Sequence, residues 1–160
     1  MKGYFGIGAE RISKPMNMGA LMRTAHAFGA SFVYSIDAAL PVRSVYSSDT
    51  SKAIENMPYY NWDSIDDMAL PRGCQIVGIE LTDDAIELPE FKHPKAAAYV
   101  LGPELGNLSP QMMEKCHHIV KIPTKFCINV SLAGALVMYD RMVSMGKYDL
   151  RPIMPGGPKK

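Results

Sequence analysis

The strongest constraint on this chain is the alternation of short, continuous apolar runs with segments of helical periodicity. The apolar runs predict strands at residues 4–9, 31–36, 75–81, 96–101 and 118–122. The segments between them predict helices at residues 15–28, 63–70, 110–116 and 131–145. Strands that are apolar throughout, rather than alternating, are typical of parallel sheets buried on both faces. The sequence therefore predicts an α/β fold, with a mostly parallel sheet and helices on both faces.

Residues with strong backbone preferences indicate where these elements begin and end. Asn17 is predicted to be the N-cap of the first helix, and Gly29 is its stop signal. Pro110 is expected at the first position of the third helix. Residues 37–61 and 82–94 lack a clear period, so we predict loops with short or irregular elements there.

Composition limits the chain to one ordinary domain. With 160 residues, 48% of them hydrophobic, we expect a single domain over residues 1–150 and a flexible basic tail over residues 151–160. No apolar run reaches membrane-spanning length, and the first residues lack a signal-peptide pattern. The net charge of +1 argues neither for nor against a nucleic-acid partner. Three widely spaced cysteines without a C-x-x-C pair favour the reducing cytoplasm.

Several common active-site motifs are absent from the sequence. Gly6-Ile7-Gly8 has Arg11 where the dinucleotide fingerprint has its third glycine, and no G-K-[ST], G-x-S-x-G or H-E-x-x-H occurs. Cys116, His117 and His118 are adjacent, so their side chains point in different directions and no metal site is expected. The NAD, P-loop, hydrolase and zincin classes are therefore excluded.

The predicted strand ends indicate where a ligand would bind. Open α/β sheets bind ligands beyond the carboxyl ends of their strands. Segments 13–17, 81–83, 102–107 and 122–129 follow or lie close to such ends. The last of these leads into a helix N-terminus, where free backbone N–H groups can hold an anion.

Three segments resemble, in order, the three motifs of the SpoU-type RNA 2′-O-ribose methyltransferases. The first is 17–25 with Phe28 and Gly29. The second is 101–104 with 108–109, and the third is 121–123 with 129–133. The resemblance extends from about residue 3 to residue 147. One such motif would be weak, but three in the family's order are specific.

The resemblance implies a fold, a cofactor and partners. Members of this family have the SPOUT fold, in which the C-terminal part of a parallel sheet forms a deep trefoil knot. They bind S-adenosylmethionine in the knot and work as homodimers on RNA. This chain resembles the minimal single-domain form, for which transfer RNA is the expected substrate.

The resemblance also implies roles for individual residues. Arg23 corresponds to the catalytic arginine, and Asn17, Glu104 and Asn129 are expected to arrange the catalytic groups. A guanidinium stays protonated in proteins, so Arg23 is expected to stabilise a developing alkoxide rather than to act as a base. The expected cofactor-binding residues are Leu81, Thr82, Gly102, Ile122, Cys127 and Ile128.

Two departures from the family pattern keep alternatives open. Cys127 stands where the family usually has serine, and the loop over residues 123–127 is shorter than usual. A thiol is the weaker hydrogen-bond donor. A catalytically inactive, knotted RNA-binding protein is therefore a second hypothesis, and methylation of a base nitrogen is a third. Two interpretations stay open for the basic residues, an RNA-facing patch or an ordinary solvated surface: Arg11, Lys14, Arg43 and Lys52, with Lys159 and Lys160 in the tail.

Overall fold

The computed structural model describes residues 3–48 and 52–146, which form one sheet of seven parallel strands. The strands are β1 (Tyr4–Glu10), β2 (Phe32–Ile36), β3 (Tyr59–Trp62), β4 (Gln75–Ile79), β5 (Ile86–Glu87), β6 (Ala96–Leu101) and β7 (His118–Lys121). Their order across the sheet is β3-β2-β1-β6-β4-β7-β5. The predicted parallel sheet is therefore confirmed, and β1 and β6 lie in its interior.

Helices cover both faces of the sheet, as predicted. The helices are α1 (Pro15–Ala27), α2 (Val42–Ser48), α3 (Ala53–Asn56), α4 (Pro110–Lys115) and α5 (Val130–Met145). Side chains of α1, α2, α3 and α5 share one apolar core with the inner face of the sheet. Side chains of α4 and of the segment before β4 form a second core on the other face. The strands are buried on both sides, which explains why their sequences are apolar throughout.

Segment 63–70 is not the predicted helix. It contains only a 3-10 turn at Ile65–Asp67, and the backbone is extended again by Met68. Ile65, Met68 and Leu70 pack against the second core. A helix of eight residues gains little from its own hydrogen bonds, so these packing contacts determine the conformation instead.

The stretch predicted as loop over residues 37–61 contains α2, α3 and the start of the edge strand β3. Tyr60 of β3 stacks on Trp62, with ring planes 4° apart and centroids separated by 5.6 Å. Trp62 in turn lies against the buried Tyr34. Trp62 therefore belongs to the packing of the sheet edge, while Tyr60 remains half exposed.

The prediction that Asn17 is an N-cap is wrong. The helix begins at Pro15, so Asn17 lies within its first turn, and the N-cap is Lys14, three residues earlier, whose side chain makes no capping hydrogen bond. The predicted start of α4 is confirmed, with Pro110 in the first turn and the Ser109 hydroxyl accepting from the Met112 N–H. Segment 82–94 is irregular, as expected, apart from β5 and a 3-10 turn at Leu88–Glu90.

Two further expectations concern the surface and the end of the chain. In the ranges that the structure describes, no helix combines the length and the apolar character needed to span a bilayer. The predicted tail over residues 151–160 lies outside the described residues.

Candidate functional site

A cleft opens at the carboxyl ends of the neighbouring strands β6, β4 and β7. Its volume is about 590 Å³, counted out to its open mouth. The walls come from the segments that follow the three strands and from the start of α5. The lining residues include Ile79, Glu80, Leu81, Leu101, Gly102, Glu104, Ile122, Cys127, Ile128 and Ala133. The cleft lies where the topology of an open α/β sheet predicts a ligand.

Five of the six residues predicted to bind the cofactor line this cleft: Leu81, Gly102, Ile122, Cys127 and Ile128. Thr82 does not line it. The Thr82 hydroxyl is buried, and it has no hydrogen-bond partner in the part of the chain that the structure describes. The Thr82 carbonyl accepts a hydrogen bond from Lys121 Nζ at 3.1 Å.

Gly102 keeps the cleft open where β6 ends. A Cβ atom at this position would lie 3.3 Å from the Leu108 nitrogen and 3.7 Å from Oε2 of Glu80. The first distance is shorter than an ordinary van der Waals contact, and the atom that it involves belongs to the backbone, which cannot easily move. A side chain here would press on the segment that follows β6 and project between it and Glu80.

Glu104 joins the segment after β6 to the start of α1. Its carboxylate accepts hydrogen bonds from the Lys14 N–H at 2.8 Å, the Ser13 N–H at 3.0 Å and the Asn17 side chain at 3.3 Å. Burial alone would raise the pKa of this carboxyl, but the hydrogen bonds outweigh burial and hold the pKa below its usual range. Glu104 therefore fixes the start of α1 and contacts the Asn17 side chain.

The Asn17 and Asn129 amides continue this network toward α5. Asn129 Nδ2 donates to Asn17 Oδ1 at 3.2 Å. Asn129 Oδ1 accepts from the Ser131 N–H at 2.9 Å and caps α5. Residues from all three sequence motifs thus meet in one chain of hydrogen bonds beside the cleft.

Arg23 lies apart from this network. It is exposed on α1, two turns beyond the helix start, and it does not line the cleft. In the described ranges its side chain makes no hydrogen bond or ion pair. The structure therefore brings together Asn17, Glu104 and Asn129 but not Arg23.

Two buried carboxylates, which the sequence analysis did not single out, hold the segment after β6. Glu10, at the end of β1, accepts from the Ser109 N–H at 2.7 Å and from the Ser109 hydroxyl at 2.5 Å. Glu80, just after β4, accepts from the Leu108 N–H at 2.7 Å. The available sequence signal was an acidic residue at or just after the end of an apolar strand run.

Arg11 also contacts the segment that follows β6. Its guanidinium donates to the Asn107 carbonyl, and its backbone has a left-handed φ of 57°. Arg11 and Lys14 are exposed at the carboxyl edge of the sheet, as is Lys125 beyond β7. Lys52 is also exposed, whereas the Arg43 side chain lies outside what the structure describes.

The outward face of α5 is apolar and exposed. Leu132, Leu136 and Tyr139 are 60%, 45% and 48% exposed, and they follow one another at helical spacing. On the neighbouring α1, Met16 is 81% exposed, whereas Met18 and Met22 are buried. An apolar stripe of this kind is unusual on a surface that stays in water.

Comparison with known proteins agrees with this architecture. The sequence model of the SpoU rRNA Methylase family matches residues 5–139. The tRNA (guanosine(18)-2′-O)-methyltransferase of Escherichia coli K12 is 23% identical over 136 residues, which cover 82% of this chain and 59% of the relative. Mouse tRNA (guanosine(18)-2′-O)-methyltransferase TARBP1 is 26% identical over 141 residues, covering 82% of this chain and 9% of the relative. The chain thus spans less than two thirds of either relative.

Among solved structures, the SpoU methyltransferase AviRb from Streptomyces viridochromogenes, in complex with the cofactor AdoMet, superposes with a TM-score of 0.80. The alignment covers 90% of this chain and 58% of that one, at 20% sequence identity. The fold of the described residues is therefore that of these methyltransferases.

Proposed function

This chain belongs to the SpoU rRNA methylase family, and we propose that it transfers a methyl group from S-adenosylmethionine to a ribose 2′-hydroxyl of RNA. The observation that carries the proposal is the hydrogen-bonded network of Glu104, Asn17 and Asn129 beside the cleft. These residues come from three separate motifs, and they meet at the edge where an open α/β sheet binds its ligand.

The cleft has the chemistry that the methyl donor requires. Apolar walls from Leu81, Ile122 and Ile128 suit an adenine ring. The absent side chain at Gly102 leaves room for close backbone approach. The carboxylates of Glu80 and Glu104 line the same cleft and suit a ligand with positive charge. The residues present therefore fit S-adenosylmethionine, which when bound supplies a methyl group on a cationic sulfur.

The protein's own contribution is to hold and orient the reacting groups. Glu104 fixes the first turn of α1, and Asn17 and Asn129 lock each other's amides between α1 and α5. Such fixed groups lower the barrier by positioning, since in-line displacement tolerates little misalignment. Cys127 lies on the cleft wall and is exposed, in the place of the family's usual serine.

Arg23 acts on the RNA rather than on the donor in this proposal. Its exposed guanidinium is accessible to RNA, where it would bind a phosphate and stabilise the negative charge that develops on the hydroxyl oxygen. Because it lies outside the cleft, it requires bound RNA or a second subunit to meet the reacting hydroxyl.

We also propose a homodimer, which the apolar stripe on α5 supports. Leu132, Leu136 and Tyr139, together with Met16 of α1, form an exposed surface next to the network. A second copy that covers this surface would remove it from water.

The segments that follow β4, β6 and β7 are proposed to form the family's trefoil knot. Strands β4 and β5 lie on either side of β7, so the connection between them crosses the carboxyl end of β7. Lys121 Nζ, at that end, donates to the carbonyls of Thr82 and Asp83 in this connection. We further propose that residues 1–150 form one methyltransferase domain and that its substrate is transfer RNA, as the names of the two relatives indicate.

Calorimetric titration with S-adenosylhomocysteine tests the donor site without any knowledge of the RNA. We expect stoichiometric binding with a Kd in the range of about 1–100 μM. The second step is methyl transfer from labelled donor to unmodified transfer RNA, followed by nuclease digestion and mass analysis of the nucleosides. Label on ribose supports the proposal, whereas label on a base nitrogen contradicts it.

Arg23→Ala separates catalysis from donor binding. We expect this variant to lose methyl transfer and to keep its affinity for S-adenosylhomocysteine. Arg72→Ala, which removes another exposed arginine, is the matched control and should retain both. RNA binding by the wild type without any donor binding would instead favour an inactive RNA-binding protein.

A further inference from the structure

Glu80 is a buried carboxylate in the wall of the cleft. Glu80 is only 9% exposed. Oε2 accepts from the Leu108 N–H at 2.7 Å, and Oε1 accepts from the Leu81 N–H at 3.1 Å. Both oxygens act as acceptors, as they do in the ionised form. The hydrogen bonds fix the carboxylate but add no positive charge.

No cationic side chain neutralises Glu80 within the described ranges. The ion pair present there joins His93 to Asp140, near the opposite end of β6. Arg11 and Lys121 lie in the same region, but each donates to backbone carbonyls, Arg11 to Asn107 and Lys121 to Thr82 and Asp83. The Glu80 carboxylate therefore lines the cleft without a cationic partner among the described residues.

A buried charge of this kind favours a ligand of opposite charge. Removing a carboxylate from water is costly, and nearby positive charge offsets part of that cost. Methyl transfer breaks the carbon–sulfur bond and leaves its electron pair on sulfur, while a carbon–oxygen bond forms and the hydroxyl proton passes to solvent water. The occupant of the cleft thus changes from cationic to neutral at sulfur.

We propose that Glu80 is a charge-selecting residue, which makes the cleft bind the cationic donor in preference to the neutral product. The inference rests on the proposed function, because it concerns the same cleft. It assigns Glu80 a role beyond that of holding the segment after β6, and the two roles have different signatures. Loss of a loop anchor lowers the affinity for both ligands equally, whereas loss of the charge lowers the affinity for the donor more than the affinity for the product.

The test compares the affinities of S-adenosylmethionine and S-adenosylhomocysteine by calorimetry for the wild type, Glu80→Gln and Glu10→Gln. Glu10 is the matched control because its carboxylate holds Ser109 of the same segment but does not line the cleft. For Glu80→Gln we expect the ratio of donor to product affinity to fall about tenfold. For Glu10→Gln we expect that ratio to stay within about twofold of wild type, even where both affinities decrease.

Each outcome bears on a different claim. If the wild type binds both ligands and Glu80→Gln weakens them equally, Glu80 is only a loop anchor and the inference is overturned, while the proposed function stands. If the folded wild type binds neither ligand, the proposed function fails and the inference fails with it. If circular dichroism shows that Glu80→Gln is unfolded, Glu80→Asp replaces it. That variant keeps the charge, so the affinity ratio should stay near wild type, and a tenfold fall would overturn the inference.

Discussion

Glu104 ties the start of α1 to the segment after β6, and its replacement by glutamine should weaken both the fold and the site. Four donors converge on its carboxylate: the Ser13 N–H, the Ser13 hydroxyl, the Lys14 N–H and the Asn17 amide. Glutamine keeps one acceptor oxygen, but its NH₂ group would face a donor. Glu104→Gln therefore loses charge assistance at every contact and gains one repulsive contact.

The distances set the size of the expected effect. The contacts to Lys14 and Ser13 N–H, at 2.8 and 3.0 Å, have good geometry, whereas the Asn17 contact at 3.3 Å is weak. A hydrogen bond to a charged group contributes about 1.5–3 kcal/mol net, and partial exposure of Glu104 reduces this value. We therefore expect the free energy of unfolding to decrease by about 2–3 kcal/mol. Because Asn17 loses its anchor, methyl transfer should slow by at least about tenfold.

Urea denaturation followed by circular dichroism measures the first effect, and kcat/KM with transfer RNA measures the second. Glu87→Gln, which neutralises an exposed carboxylate on β5, is the control and should change the free energy of unfolding by less than about 0.5 kcal/mol. A loss below about 0.5 kcal/mol in Glu104→Gln would refute the reasoning, since the hydrogen bonds would then contribute nothing to the fold.

Three further predictions concern other parts of the molecule. Arg141→Met removes a buried guanidinium that donates to the Pro94 and Lys95 carbonyls. We expect the free energy of unfolding, measured by urea denaturation, to decrease by about 3–5 kcal/mol. A decrease of less than about 1 kcal/mol would contradict this prediction. Burial holds the pKa of His93 below 6.5 in the folded protein. The contribution of neutral His93 to stability is therefore fully present above pH 6.5 and is lost as the pH falls through the lowered pKa. His93→Gln should flatten the pH dependence of Tm over that range. Leu136→Lys should convert a dimer to monomers in analytical ultracentrifugation, while Ser144→Lys should not.

The sequence predicted most of the sheet because its strands are buried on both faces. Segments such as 96–101 are apolar throughout, and nothing in their surroundings competes with the strand conformation. Strand β3 escaped prediction because it is an edge strand in which Tyr60 and Asn61 are exposed. Segment 63–70 carried helix start and stop signals, yet its apolar side chains are spaced so that they pack in an extended segment.

The site was predictable as a set of residues, but only some of its contacts were. The resemblance identified Asn17, Glu104 and Asn129, and the topology of the sheet identified the edge where they meet. The helix start at residue 15 was predicted, but not that Lys14 is the N-cap and that the Asn17 side chain therefore faces Glu104 and Asn129 instead of capping α1. Arg23 stays a prediction, because its role depends on groups outside the described chain.

The direction of the hydrogen bonds explains why asparagine suits both central positions of the network. Glu104 can only accept, so Asn17 must present its NH₂ group to Glu104 and its carbonyl to Asn129. Asn129 must then present its own NH₂ group to Asn17, which leaves its carbonyl to accept from the first N–H groups of α5. Aspartate at either position would lack the NH₂ donor. A donor in place of the Asn129 carbonyl would face the backbone N–H groups of α5, which need an acceptor. The charge of Glu104 therefore sets the orientation of both amides, and through them it couples the start of α1 to the start of α5.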